Sequence, residues 1–280
     1  MNETIDVGRL ADILRRAAAA EVLPRFRRLG AGDIRRKTSA IDLVTEADEA
    51  AERFIRSECA ALWPDAVFVG EESVAADKRL LEAVGTADLC IVVDPIDGTA
   101  NYAAGAPLFA VMAAVVAKGE TVAGAIYDPM GDDVMLAERG AGAWHVFSDG
   151  RRERLTVADP VPVADMVGSV GTTHFAPQAR HRLVARLDQV RIAANYRCSG
   201  HEYRLAASGG LHFLCAASTM PWDHLAGALI AEEAGGHLRR LDGSPYRPGH
   251  VEGGILLAPG AESWRELQTG LFPEGVDLSH

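Results

Sequence analysis

The 280-residue chain has little of what marks several large protein classes. Positive charge is in deficit: 28 Lys and Arg stand against 39 Asp and Glu, a formal charge of −11. A general binder of nucleic acid or of an anionic membrane presents a basic face, so this balance argues against both. Phosphorylated small molecules stay open, because divalent cations can supply positive charge locally. The four cysteines, Cys59, Cys90, Cys198 and Cys215, are far apart and form no Cys-x-x-Cys pair. That spacing argues against a disulfide framework or a structural zinc site and reads as buried free thiols. A basic segment leading into an apolar run is missing from the start. Glu3 and Asp6 come first, then Arg9, Asp12, Arg15 and Arg16, so no signal peptide is expected. The longest apolar stretch, Ala103 to Ala117, is interrupted by Gly105 and Pro107 and falls short of the about 20 residues a membrane span needs. No repeat, low-complexity tract or Ser/Pro/Gly linker divides the sequence. With 48% hydrophobic and 24% charged residues, a cytoplasmic globular protein is expected.

Hydrophobic spacing outlines the elements. Leu10, Ile13, Leu14, Ala17, Ala18 and Val22 form an apolar stripe that predicts a helix over Val7 to Leu29. A second helix is expected from Glu46 to Leu62, with Thr45 as its N-cap and Pro64 beyond its end. Ala66 to Val69 reads as a short strand. Leu89 to Val93 is wholly apolar and β-branched, the pattern of a buried strand, and is expected to stop at Asp94. Phe109 to Val116, Thr121 to Tyr127, Asp133 to Glu138 and Ala143 to Phe147 follow at short intervals, as antiparallel strands joined by turns do. Further on, short apolar runs alternate with helical segments, which predicts a second α/β layer. An N-terminal α+β half, about 1–150, and a C-terminal α/β half, about 151–280, are expected to form a single catalytic unit.

Four segments concentrate oxygen donors. Asp94-Pro95-Ile96-Asp97-Gly98-Thr99 closes the buried strand. Isolated buried carboxylates cost several kcal/mol unless paired or bound to metal. Gly98 permits close backbone approach, and Thr99 can open a helix whose free N–H groups suit a phosphate. Gly70-Glu71-Glu72-Ser73 also follows a strand. Pro221-Trp222-Asp223-His224-Leu225-Ala226-Gly227 places Asp223 at the start of an apolar helix. Lys37-Thr38-Ser39 with Asp42-Leu43-Val44-Thr45 and Asp48 leads into the second helix. Taken singly, each also fits an ordinary role: an Asp-rich turn, a solvated acidic loop, a helix-capping Asp, a surface loop. Together they fit Mg²⁺, which takes hard oxygen ligands and engages substrate phosphate. Two such ions about 4 Å apart promote phosphoryl transfer to water. No histidine cluster or thiolate set competes, so zinc fits less well.

These motifs resemble the inositol monophosphatase-like, lithium-sensitive Mg²⁺ phosphatases. Gly-Glu-Glu-Ser, Asp-Pro-Ile-Asp-Gly-Thr followed by Asn101-Tyr102, and Trp-Asp-x-x-Ala-Gly occur in that family's order, and the likeness runs from Lys37 to Gly236. It implies an α/β (α+β) fold, a layered α-β-α-β-α sandwich of the inositol monophosphatase/fructose-1,6-bisphosphatase type, commonly a homodimer. It further implies that Glu71, Asp94, Asp97, Asp223 and the Ile96 carbonyl hold roughly two or three Mg²⁺ ions per active site. Thr99, coupled to Asp48, would orient the attacking water, with Glu71 also in the catalytic set. The Gly98 and Thr99 amides would bind phosphate. Glu72 matches the motif without being a primary ligand. The implied activity is hydrolysis of a small phosphomonoester by metal-activated water, without a phosphoenzyme.

The leaving-group side departs from the inositol-specific pattern. Ala216 stands where animal inositol monophosphatases place a glutamate for ring hydroxyls. Cys198-Ser199-Gly200-His201-Glu202-Tyr203 replaces a small-residue run. Asn101-Tyr102 favours the inositol or histidinol phosphate branch over the nucleotide-bisphosphate branch. The expected substrate is a small polyol or amino-alcohol phosphate, by default inositol 1-phosphate, with histidinol phosphate and sugar phosphates as alternatives. Ser199, His201 and Glu202 are the candidate substrate contacts. His201 and Glu202 fit equally as ordinary residues at a helix N-terminus. A different class also stays open, a relative that acts in regulation through a protein partner. Direct binding of nucleic acid or membrane is not expected.

Overall fold

The computed structural model describes residues 6–30, 32–36, 43–273 and 275. The expected Lys37, Thr38, Ser39 and Asp42 segment lies outside them. Helix α1 (Val7–Ala17) is capped by the Asp6 side chain, which accepts the Gly8 and Arg9 N–H groups. It is shorter than its apolar stripe suggests. A π turn, Ala18–Val22, follows, and Pro24 then forbids a continuing helix. The short strands β1 (Ile34–Arg36) and β2 (Leu43–Thr45) pair antiparallel and lead into α2 (Glu46–Leu62). Thr45 and Asp48 cap α2 reciprocally, each side chain taking the other's backbone N–H.

The order then runs β3 (Val67–Gly70), α3 (Glu71–Ala76), α4 (Ala83–Thr86), β4 (Leu89–Asp97), α5 (Thr99–Ala103), β5 (Ala110–Ala117), β6 (Glu120–Asp128), β7 (Asp133–Glu138), β8 (Gly142–Val146) and β9 (Arg152–Arg154). These strands form a seven-stranded sheet in sequence order, with β3 and β4 parallel and the other neighbours antiparallel. The remainder comprises β10 (Val167–Gly171), α6 (Pro177–Val184), β11 (Ile192–Ala194), α7 (Ser199–Ala207), β12 (Phe213–Ala216), α8 (Pro221–Glu233), β13 (His237–Arg240), β14 (Ile255–Ala258) and α9 (Ala261–Leu271). Its five strands form a second sheet in the order β11-β10-β12-β14-β13.

The layers follow from strand periodicity. On β5, Val111, Ala113 and Val115 pack with Leu10, Ile13, Ala51 and Ile55 of α1 and α2. The alternate residues Met112, Ala114 and Val116 pack with Tyr203 of α7, Leu225 and Leu229 of α8, and Leu214 and Leu257 of the second sheet. Both faces of the strand are buried, so its sequence is continuously apolar rather than alternating. Beyond the second sheet, Leu183 of α6 and Trp264 and Leu267 of α9 cover Phe213, Cys215 and Leu256. The result is an α-β-α-β-α sandwich. Helix α8 lies against β6 at backbone distance: a Cβ on Gly124 would sit 2.8 Å from the Ala226 Cα.

One boundary corrects the sequence expectation. Strand β4 does not stop at Val93 but runs through Asp94-Pro95-Ile96-Asp97, with its register to β5 shifting between Asp94 and Asp97. Proline cannot donate to a sheet ladder, so the pairing bulges around Pro95 and resumes at Asp97 beside Ala110. The two carboxylates are thereby held on a strand rather than on a loose turn.

Candidate active site

Parallel pairing of β3 with β4 sets Gly70 beside Val93, so both strands deliver their following residues to one end of the sheet. Glu71 opens α3 there, and Asp94 and Asp97 lie at the end of β4. Asp223 comes from the other half of the chain, in the first turn of α8 behind Pro221. Proline is tolerated there because the N–H it lacks would have no intrahelical acceptor. One oxygen each from Asp94, Asp97 and Asp223 lie within 4.8 Å of one another. Asp94 is 2% exposed. Burial, and then the charges of Glu71, Asp97, Asp223 and Asp48, hold its carboxyl well above the usual carboxylate range. Converging hard oxygen donors with mutual repulsion are suited to a divalent cation such as Mg²⁺, whose charge reverses that penalty.

Asp97 also anchors α7. Its Oδ1 accepts the Ser199 N–H at 3.1 Å and the Ser199 hydroxyl at 2.9 Å. Its Oδ2 accepts the Gly200 N–H at 2.6 Å and lies 2.9 Å from Cys198 Sγ. Burial, then the Asp97 charge, pushes the Cys198 thiol well up. A side chain at residue 200 would not fit, since its Cβ would meet Ala110 Cβ at 2.9 Å and Asp97 Oδ2 at 3.0 Å. Ser199 thus touches the acidic cluster itself.

Beyond β4 the chain turns at Gly98, whose φ of 87° lies in the left-handed region. A Cβ there would sit 3.0 Å from the Leu108 carbonyl and 3.1 Å from Cys198 Cβ. Thr99 begins α5 beside it. Its hydroxyl lies 2.9 Å from the Ile96 carbonyl and 3.2 Å from Asp48 Oδ1. Asp48 is fully buried, and its Oδ2 takes the Thr45 N–H at 2.8 Å and the Thr45 hydroxyl. The structure therefore brings Asp48 and Thr99 together across 51 residues of sequence.

His201 and Glu202, the other candidate substrate contacts, lie in the first turn of α7, each with a partner within the protein. His201 Nε2 lies 3.1 Å from the Phe109 carbonyl and 3.9 Å from Asp128 Oδ1. Glu202 is 7% exposed, and its Oε1 accepts the Tyr196 N–H at 2.9 Å. Burial raises its carboxyl to about 7, against the hydrogen bonds from Ser169 and the Tyr196 backbone. The Glu202 carboxylate is engaged by Ser169 of β10 and by the Tyr196 amide in the loop before α7. Ala216 ends β12 opposite Gly171, with no side-chain polar atom to offer.

Two residues that sequence analysis passed over take part. Asn101, treated above only as a branch marker, is buried and its Nδ2 donates to the Leu108 carbonyl at 3.0 Å and the Tyr196 carbonyl at 2.8 Å, tying the α5 turn to the loop before α7. Glu52, on α2, accepts the Glu72 N–H at 2.7 Å and the Ser73 N–H at 3.0 Å. The signal for Glu52 was its place four residues after Asp48, on the same helix face.

Known proteins resemble this chain in sequence and fold. The profile of the inositol monophosphatase family matches residues 9–275. A fructose-1,6-bisphosphatase/inositol-1-monophosphatase of Thermotoga maritima is 31% identical over 212 residues, 75% of this chain and 76% of that one. An inositol-1-monophosphatase of Mesorhizobium japonicum is 33% identical, over 72% of this chain and 73% of its own. A Nus factor SuhB of Xylella fastidiosa is 32% identical, over 74% and 72%. Among solved structures, a Thermotoga maritima IMPase superimposes with a TM-score of 0.79 at 24% identity, covering 96% of this chain and 98% of its own, a likeness of fold. With the profile spanning nearly the whole sequence, the chain belongs to the inositol monophosphatase family.

Proposed function

We propose that this family phosphatase is a Mg²⁺-dependent phosphomonoesterase acting on a small polyol or amino-alcohol phosphate. The observation that carries the proposal is the convergence of Asp94, Asp97 and Asp223 within 4.8 Å, with Asp94 buried and its carboxyl raised. Glu71, Asp94, Asp97, Asp223 and the Ile96 carbonyl are the proposed holders of Mg²⁺, in roughly two or three ions. When bound, the cations supply positive charge to phosphoryl oxygens and promote ionisation of water. The chain's own residues do the rest. Thr99 Oγ1, set by Asp48 Oδ1, orients the attacking water, and the Gly98 and Thr99 amides, which precede the first intrahelical bonds of α5, receive phosphate oxygens. Because Asp94 and Asp97 lie in the first half and Asp223 in the second, the two halves act as a single catalytic unit, and a homodimer is its proposed assembly.

Inositol 1-phosphate is the default substrate, in keeping with the names of two relatives. Histidinol phosphate and sugar phosphates remain alternatives. The histidinol reading loses one support, because the Glu202 carboxylate already holds a backbone amide. A second reading rests on the relative named Nus factor SuhB, which suggests regulation through a protein partner. The discriminating experiment is phosphate release from a panel of phosphomonoesters with Mg²⁺ and with chelator. Mg²⁺-dependent turnover is expected, broad rather than inositol-selective because Ala216 offers no hydrogen bond to ring hydroxyls. No turnover of any member would leave the regulatory reading standing.

A further inference from the structure

Helix α2 carries three polar side chains at four-residue intervals, Asp48, Glu52 and Arg56, on one face. Asp48 reaches Thr99. Glu52 reaches α3, which opens with Glu71. Its Oε2 takes the Glu72 N–H at 2.7 Å, and its Oε1 takes the Ser73 N–H at 3.0 Å and the Ser73 hydroxyl. Arg56 also contacts Ser73, and its Nη2 lies 3.5 Å from Glu52 Oε1. Glu52 is 5% exposed, which is unusual for a carboxylate with no fully buried cation against it among the described residues. The space it occupies is reserved by Gly70, where a Cβ would lie 2.3 Å from both the Glu52 Cδ and Oε2.

From this geometry we infer that Glu52 is a positioning residue for Glu71: by clamping the two backbone amides that follow Glu71, it fixes where α3 delivers that carboxylate, and α2 thereby sets the spacing between Glu71 and the Thr99 hydroxyl. The physical basis is rigidity. Asp48 and Glu52 are one helical turn apart, about 6 Å, on a helix locked into the core through the neighbouring Ala47, Ala51 and Ile55. A metal ligand on a short helix is free to rock unless its backbone is tied. Groups that hold ligands in place typically contribute about 10–100-fold to metal affinity. The inference rests on Glu71 being a metal ligand, as proposed above.

The test is Mn²⁺ binding by titration calorimetry, with Mn²⁺ standing in for Mg²⁺, on wild type, Glu52→Gln, Glu71→Gln and the double variant, each checked for folding by near-UV circular dichroism. Glutamine keeps the shape but loses an acceptor, so Glu52→Gln is expected to raise the Mn²⁺ Kd about 10-fold and to raise it no further in the Glu71→Gln background. Gly70→Ala, which pushes the Glu52 carboxylate off its amides from the other side, is expected to reproduce the loss and keeps the test valid if Glu52→Gln does not fold. An unchanged Kd in Glu52→Gln or Gly70→Ala overturns the inference, as does an equal loss with and without Glu71. Unchanged affinity in Glu71→Gln itself would instead overturn the metal-ligand assignment.

Discussion

At the scale of single residues, the acidic cluster holds a charge conflict that a proton or a bound cation relieves. Asp94 is buried beside three other carboxylates and Asp48, and its carboxyl resists ionisation. Asp94→Asn keeps the size and the Ile96 N–H contact, made to Oδ1 at 3.0 Å, while removing the charge. In chelator at pH 8 this variant should melt above wild type, by roughly 2–4 °C for each kcal/mol of repulsion removed. Its phosphatase activity should be lost at any Mg²⁺ concentration. A variant that is both active and less stable would place the metal elsewhere. Thr99 supplies the second residue-level test. In the proposed mechanism its hydroxyl acts on the water rather than on the bound phosphate, so Thr99→Ala should lower kcat by about 10²–10⁴-fold. KM should change little, since the interaction is made in the transition state. Normal kcat with a large rise in KM would make Thr99 a phosphate ligand only.

At the scale of elements, α7 is held at both ends of its first turn, by Asp97 at Ser199 and Gly200 and by Glu202 to the Tyr196 amide. The Glu202 carboxyl, about 7 in the fold against an ordinary 4.5, carries a stability cost when ionised. Below about pH 4.5 it is protonated folded or unfolded and costs nothing; the penalty grows as pH rises and is complete above the folded value near 7, at roughly 3 kcal/mol. Glu202→Gln should therefore gain on wild type in denaturant midpoint between pH 5 and 8, while histidinol phosphate turnover stays the same. A constant difference across that range would mean that Glu202 titrates normally, and a selective loss on histidinol phosphate would place it in the substrate pocket. Elements whose signals are local were legible from sequence. The α2 start shows in Thr45 and Asp48, and β5 to β8 show in apolar runs between turns. What was hidden depends on distant partners. The burial of Glu52 is set by α3, some twenty residues on. The continuation of β4 through Pro95 is set by β5. The edge strands β9 and β13 are rich in arginine and carry no apolar pattern.

At the scale of the whole molecule, the acidic cluster forms only when the two halves of the chain are assembled, because Asp223 stands on α8 and Asp94 and Asp97 on β4. The same core joins them: Val92 and Met112 of the first sheet, Leu225 and Leu229 of α8 and Leu214 and Leu257 of the second belong to one buried cluster. The motif acids Asp94, Asp97 and Asp223 converge in the fold, while the leaving-group pocket stayed unread in the sequence. The proposed ligands lie at strand ends and helix starts, whereas the proposed pocket depends on how β10, β12 and the α7 turn face each other. Cation binding across the two halves should then stabilise the entire fold. A ligand at 100 times its Kd adds about 2.7 kcal/mol, a rise of roughly 5–10 °C in Tm. Scanning calorimetry with Mg²⁺ should show one transition moving up as a unit, and Asp94→Asn should abolish the shift. Two transitions, only one of them raised by Mg²⁺, would show that the halves unfold independently, and no rise in wild type would remove the cation from the site.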